Sequence, residues 1–112
     1  MSKKYIHYGH SEFRRDSFCG IRNNMLFTKP DGGLWASAVD APFGWKDWCD
    51  RERFRTCNDD IRFCFTLKAN ARVIHLYSMK QLRQLPTVQN EMYDYTRWYC
   101  IDFEKLLSDG WD

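Results

Sequence analysis

The chain has 112 residues, of which 44% are hydrophobic and 29% charged, and this predicts one folded domain rather than a disordered segment. Seventeen basic and fifteen acidic residues leave a net charge of +2, so a nucleic-acid partner is not expected. No apolar run approaches the roughly 20 residues that cross a bilayer, and MSKKYIHYGH at the N-terminus lacks the apolar centre of a signal peptide. With five irregularly spaced cysteines, typical of reduced thiols, we expect a cytoplasmic protein without a membrane partner.

The first half of the chain predicts two strands and one helix. KYIHY (4–8) is β-prone and ends at a glycine, and residues 10–31 are polar and close with the loop sequence KPDGG. LWASAV (34–39) predicts a second short strand. Tryptophans and a cysteine at helical spacing then predict a helix over about 44–54.

The second half opens with the clearest strand pattern. DIRFCFTLK (60–68) alternates apolar with polar residues, and RVIHLYS (72–78) follows after a short turn, so we predict that the two pair as a hairpin. Ser78 is a candidate N-cap for a helix over MKQLRQL, which Pro86 would stop. The following stretch, TVQNEMYDYTRWY (87–99), has an ambiguous pattern.

The C-terminal stretch predicts a last short helix. Asp102 is a candidate N-cap, Gly110 is a candidate C-cap, and Trp111 with Asp112 is typical of the start of another strand. The expected class is α+β: one domain over 1–112, with a mainly antiparallel sheet and short flanking helices. Two alternatives stay open: the fold closes without that strand, or this chain is a shortened version of something longer and lacks it.

Several kinds of site find little support in the spacing of residues. Six residues separate Cys57 from Cys64 and no C-x-x-C pair occurs, so a zinc site is not expected, and no local signature marks a cysteine nucleophile. The glycines of DGGLW match neither phosphate-binding fingerprint. Arginines 51, 53 and 55 alternate with acidic residues, which favours a solvated helix face over a nucleic-acid surface.

KPDGGLWASAVDAPFGWKDWC (29–49) holds three of the five tryptophans beside a glycine pair. Two interpretations stay open at this point. The glycines provide space for a ligand and the tryptophans line its pocket, or a turn leads into a strand and the tryptophans fill a small core.

YIHYGH together with GGLWAS…FGWKDW resembles the opening motifs of ADP-ribosyltransferases of the diphtheria-toxin and poly-ADP-ribose-polymerase type. The resemblance implies the fold of that family and NAD as cofactor. A first-strand histidine and glycine hold the nicotinamide side of NAD there, although in this chain Tyr8 separates the two. A later aromatic stacks on the nicotinamide, which is a cationic ring that favours an aromatic face. The residues implied to bind NAD are His7, Gly9, Gly33, Trp35, Ser37, Trp45 and Trp48.

A glutamate usually completes the site of this family. The resemblance implies Glu91, in QNEMY, as the catalytic carboxylate, with Glu104 on the last helix as a poorer match. In a third alternative the glutamate belongs to a strand that starts at Trp111, and it is then absent from this chain. In the active form, the carboxylate would orient the ribose 2′-hydroxyl while the nicotinamide–ribose bond breaks.

The chain is also similar to small phage and prophage proteins with the signature KP-x-GGLWAS…GWKDWC, and this similarity covers most of the sequence. It implies a phage-type transferase that modifies a host protein. The alternative from a different class is a non-catalytic, anti-CRISPR-like protein that binds and inhibits a bacterial defence enzyme. In that case the charged stretch CDRERFRTCNDD would belong to the contact surface.

Overall fold

A computed structural model describes residues 3–24, 29–89 and 99–112 and confirms the mixed α+β class, with an antiparallel sheet of three strands and a few short helices. The chain groups into two compact units, Met1–Phe18 with Leu34–Ala69 and Cys19–Gly33 with Asn70–Asp112. We call them unit 1 and unit 2 and describe each by itself. The single domain expected over 1–112 stays a prediction.

Unit 1 is built on a sheet of β1 (Lys4–Tyr8), β2 (Ser37–Ala38) and β3 (Arg62–Thr66) in the order β2-β1-β3. β1 pairs with both neighbours in antiparallel fashion, and His7 lies opposite Phe63. The alternation predicted for β3 is confirmed, because Phe63 and Phe65 are half-buried while the other three residues of the strand are exposed. Successive side chains in a strand point to opposite faces, so these two rings share a face with Tyr5 and His7.

The predicted hairpin of 60–68 with 72–78 is wrong. β3 pairs with the N-terminal strand, and residues 71–77 contain no strand. The strand predicted over 34–39 is also shorter, since only Ser37–Ala38 pairs with β1. Strand propensity reports how well side chains fit a pleated surface and carries no information about which strand becomes the partner.

The helix predicted near 44–54 is confirmed as α1 (Trp45–Glu52). Its N-terminus is capped twice: Ser37 Oγ accepts a hydrogen bond from the Trp45 N–H at 2.8 Å, and Asp47 Oδ2 accepts one from the Gly44 N–H at 2.9 Å. These bonds satisfy donors that a helix start leaves unpaired, and Asp47 also complements the helix dipole. Cys49 on this helix is fully buried, with 0% exposure.

Unit 2 contains α2 (Met79–Arg83), β4 (Thr87–Gln89), β5 (Tyr99–Ile101) and α3 (Phe103–Ser108), with β4 and β5 antiparallel. Both predicted N-caps are confirmed, because Ser78 Oγ accepts from the Gln81 N–H and Asp102 Oδ1 accepts from the Lys105 N–H. No strand forms at the last two residues. Within the three described ranges, no helix is long and apolar enough to cross a membrane.

The end of α3 is closed by a pair of backbone bonds. The Gly110 N–H donates to the Leu107 carbonyl at 3.0 Å and the Trp111 N–H donates to the Leu106 carbonyl at 3.2 Å. This pairing is the Schellman arrangement, in which a glycine just past the helix satisfies its last carbonyl groups. The helix end predicted at Gly110 is therefore confirmed, with Asp109 as the capping residue itself.

Candidate functional site

The residues that the sequence implied for NAD fall in different parts of the molecule. Six of the eight lie in unit 1, whereas Gly33 belongs to unit 2 and Glu91 lies outside the described residues. Gly9 follows β1 directly, and its N–H donates to the Ile61 carbonyl at 2.9 Å. The remaining five are His7, Trp35, Ser37, Trp45 and Trp48.

His7 is the most buried polar side chain in the described structure, with 9% exposure. Its Nδ1 lies 2.7 Å from the Trp35 carbonyl oxygen, and its Nε2 lies 2.9 Å from Nδ1 of His10. A carbonyl oxygen only accepts, so Nδ1 of His7 carries the proton that it donates to Trp35, and Nε2 shares a hydrogen bond with Nδ1 of His10. Both ring nitrogens are thus already bonded inside the protein, and the ring packs at 5.1 Å from Phe63 and 5.3 Å from Phe18.

The tryptophans of α1 form a compact exposed cluster with Phe54. Trp45 and Trp48 stack at 5.2 Å between ring centroids with an angle of 13°, and Phe54 meets both rings edge-on at 5.9 and 5.4 Å. The exposed fractions are 37% for Trp45, 39% for Trp48 and 54% for Phe54. These rings do not form the closed core of unit 1, so the core-filling interpretation of the tryptophans is wrong for this pair. Trp35 is likewise 51% exposed.

A cavity of about 250 Å³ opens where β1 and β2 meet the start of α1. Its lining includes Ser37 and Trp45, two of the predicted residues, together with three that the sequence did not single out for function: Tyr8, Lys46 and Arg62. Alternation along β1 places Tyr8 on the face opposite His7, so the cavity and the buried histidine occupy opposite faces of the same strand.

The charges around the cavity are largely balanced. Lys46 Nζ lies 3.0 Å from both carboxylate oxygens of Asp59, and Arg62 Nη1 lies 3.5 Å from one of them. The hydrogen bond from Lys46 lowers the pKa of the Asp59 carboxyl, and a hydrogen bond with Tyr8 raises the pKa of Arg62. Because Asp59 offsets much of the positive charge, the cavity offers hydrogen-bonding groups and an aromatic ring more than a net charge.

The glycine pair has a structural explanation inside unit 2. Gly32 and Gly33 both have positive φ, at 75° and 78°, a conformation that other residues rarely adopt. A Cβ on Gly32 would collide with the Gly20 carbonyl oxygen, and one on Gly33 would lie 2.9 Å from Cγ1 of Ile21. The close approach predicted for a nucleotide at these glycines is therefore made by the protein's own chain, and a role of Gly33 toward NAD stays a prediction.

The alternative carboxylate Glu104 lies on α3 in unit 2, where its Oε2 accepts a weak bond from the Asn23 N–H at 3.4 Å. Among residues 3–24, 29–89 and 99–112, no three histidine, cysteine or acidic side chains cluster as metal ligands would. All five cysteines are free thiols, with Cys49, Cys57 and Cys100 buried and the others exposed.

For the cavity residues that the sequence did not single out, the sequence indicates the strand face on which each lies but not that they meet. The alternation in KYIHY puts Ile6 and Tyr8 on one face, and Arg62 falls on the polar face of its own strand. Their meeting depends on the pairing of β1 with β3, which is not readable from either segment alone.

No protein-family model, curated protein or solved structure matches this chain. The likeness to ADP-ribosyltransferases and to phage proteins therefore stays a prediction from the sequence motifs.

Proposed function

We propose that this chain is an NAD-binding protein of ADP-ribosyltransferase type, encoded by a phage and acting on a host protein in the bacterial cytoplasm. The observation that supports it is that residues of the two motif stretches contact one another and the cavity. His7 bonds to the Trp35 carbonyl, Ser37 bonds to the start of α1, and Trp45 and Trp48 stack beside the cavity. Segments far apart in sequence thus contact each other, and this supports the proposal.

The size of the cavity favours partial enclosure of the dinucleotide. Pockets that enclose drug-sized ligands measure about 300–1,000 Å³, and the cavity here measures about 250 Å³. We therefore assign it to one end of NAD, the nicotinamide ring and its ribose. The ring of Trp45 lines the cavity, and an aromatic face attracts the cationic nicotinamide ring of NAD. The hydroxyls of Tyr8 and Ser37 suit the ribose and the carboxamide.

The proposed chemistry is cleavage of the nicotinamide–ribose bond, with positive charge developing on the ribose and neutral nicotinamide leaving. A carboxylate that holds the ribose 2′-hydroxyl stabilises that charge by position and by electrostatics, and Glu91 is the proposed residue. We revise the role of His7. Because its Nδ1–H donates to the Trp35 carbonyl, it acts as a positioning residue that fixes the strand next to Trp35.

Adding NAD at about 1 mM is expected to raise the melting temperature by several degrees and to quench tryptophan fluorescence, because a ligand of the native state stabilises it. Trp45→Ala and Ser37→Ala should remove the shift, since both side chains line the cavity. Phe43→Ala is the matched control: it removes a 50% exposed ring that does not line the cavity, and the shift should persist. No change with NAD or nicotinamide in the unsubstituted protein would rule out the NAD proposal.

The second candidate is a non-catalytic protein that binds and blocks a bacterial defence enzyme. The observation that favours it is the exposed aromatic cluster of Trp45, Trp48 and Phe54, because large exposed apolar patches mark interaction sites. The Arg55 guanidinium lies 4.9 Å above the Phe54 ring, and Arg51 lies 5.7 Å from the Phe43 ring. Exposed rings flanked by arginines are typical of binding hot spots.

Expression of the chain in bacteria that carry a defined CRISPR nuclease and a matching spacer tests this candidate. Plaque formation by the targeted phage is expected to rise by at least about tenfold, and Trp48→Ala with Phe54→Ala should abolish the rise by removing anchor rings. Phe13→Ala, which removes an exposed ring outside α1, serves as the control. An equal rise with the doubly substituted protein would show that the aromatic cluster is not the contact surface.

A further inference from the structure

Residues 72–78 of unit 2, RVIHLYS, have strand-forming composition but no strand partner in the described structure. Hydrogen bonds fix both ends of the segment. At its start, the Arg72 N–H donates to Asp112 Oδ2 at 2.8 Å and the Asp112 N–H donates to the Arg72 carbonyl at 3.0 Å. Near its end, the Tyr77 N–H donates to Gln81 Oε1 at 2.7 Å. Between these anchors, the backbone groups of residues 73–76 make no hydrogen bond to any described residue. Such a row of open donors and acceptors is what an added strand pairs with.

The side chains at the C-terminal end of this segment are exposed, whereas Val73 and Ile74 are half-buried. Leu76 is 42% exposed, Tyr77 is 83% exposed, and Met79, which begins α2, is 62% exposed. The His75 and Tyr77 rings lie parallel, with an angle of 7° and centroids 6.2 Å apart, as neighbours on one side of a strand do. The segment therefore offers both an open backbone edge and apolar side chains for an extended partner.

The charged residues along this segment are all basic. Residues 70–89 of unit 2 contain three lysines and arginines and no aspartate or glutamate. In unit 2, Asp112 offsets the charge at the Arg72 end, so the excess positive charge lies at the other end, on Lys80 and Arg83 of α2. Both belong to the helix that begins one residue after Ser78, and a partner with acidic residues complements this end.

We propose that residues 73–76 form an open strand edge that binds an extended, acidic segment of a partner protein by strand addition. Backbone pairing supplies affinity, Tyr77 contacts the apolar side chains on one face of the partner strand, Leu76 contacts the opposite face, and Lys80 and Arg83 select its acidic flank. The proposal does not depend on NAD binding. It also explains why this strand-prone stretch takes no partner in the described part of the chain.

Two other occupants fit less well. A single-stranded nucleic acid would use Tyr77 and the cations, but it would leave the open backbone edge and the apolar Leu76 and Met79 without a role. A second copy, paired antiparallel about its centre, would place His75 opposite His75 and would bring two equally basic segments together.

Fluorescence anisotropy with the labelled synthetic peptide DETVTVTVED tests the proposal. We expect binding that weakens at least about tenfold when the flanking acids are replaced by lysines, or when the central threonine is replaced by proline, which removes a pairing N–H. On the protein, His75→Pro should abolish binding with an unchanged melting temperature, because the His75 N–H bonds to no described residue. Lys80→Glu with Arg83→Glu should reverse the preference toward the lysine-flanked peptide.

The control is Lys3→Glu with Arg15→Glu, which changes the net charge equally at exposed positions of unit 1 and should leave binding unchanged. Equal affinity for acidic and basic peptides, or no effect of the α2 charge reversal, would overturn the proposal. Tighter binding of an oligo-dT strand would assign the surface to nucleic acid. A dimer in sedimentation that His75→Pro dissociates would assign it to a second copy. If His75→Pro unfolds the protein, the peptide preference of the Lys80→Glu with Arg83→Glu variant is the deciding test of the proposal.

Discussion

Replacing His7 by alanine is expected to lower the free energy of unfolding by about 3 kcal/mol, because the change removes a buried ring and two hydrogen bonds at once. The Trp35 carbonyl and His10 would each lose a bonding partner, and the space between Phe18 and Phe63 would be left unfilled. Equilibrium unfolding in urea, followed by tryptophan fluorescence, measures the effect. The loss should appear as a lower urea concentration at the midpoint of unfolding, with little change in the slope of the unfolding free energy against urea concentration.

His10→Ala is the matched control for this prediction. It removes the partner of His7 Nε2 but keeps the bond from Nδ1 to Trp35, so a loss of about 1 kcal/mol is expected. The comparison also separates the two roles considered for His7. If His7→Ala keeps full stability and lowers only the affinity for NAD, then the side chain contacts ligand and the positioning role is wrong.

The features of the fold that were predictable from sequence are those decided by a few neighbouring residues. Ser78 and Asp102 each accept a hydrogen bond from the N–H three residues later, a local geometry that their side chains favour wherever a helix begins. The alternation in β3 was likewise sufficient to predict which of its side chains are half-buried, because side-chain direction in a strand repeats every two residues.

The features that sequence reasoning missed depend on contacts between distant segments. The pattern of 72–78 predicted a strand paired with β3, but no strand forms there and β1 occupies the edge of β3 instead. Pairing is settled by which segments bury apolar surface together, and this information is spread over the chain. A long-range contact of the same kind makes His7 a bonded, buried residue rather than an open ligand.

The candidate site was predictable in part for the same reason. Ser37 and Trp45 were identified by motif, and the structure brings them to one cavity through a hydrogen bond that also caps α1. Tyr8 and Arg62 join them only because β1 and β3 pair in one register. Glu91, the proposed carboxylate, stays a prediction because it lies outside the described residues.

Stability is expected to fall by about 2 kcal/mol as the pH rises from 9 to 11, through the thiol of Cys57. Burial, reinforced by contact with Cys49, raises the pKa of this thiol from 9.0 to about 11. Between these values the unfolded chain has released the proton while the folded protein still holds it. The folded state binds more protons there, so raising the pH favours unfolding, and the contribution of Cys57 is complete only below pH 9.

Urea unfolding at several pH values between 8 and 10.5 measures this loss, and Cys57→Ala provides the reference. Lysine and tyrosine titrations act on both proteins alike, so the difference between their stabilities isolates the thiol. That difference should shrink steadily above pH 9. Parallel curves would show that Cys57 titrates with the same pKa in both states and that its surroundings do not disfavour the thiolate. A thiol held protonated in this way should also react with iodoacetamide far more slowly than the exposed Cys19 and Cys64.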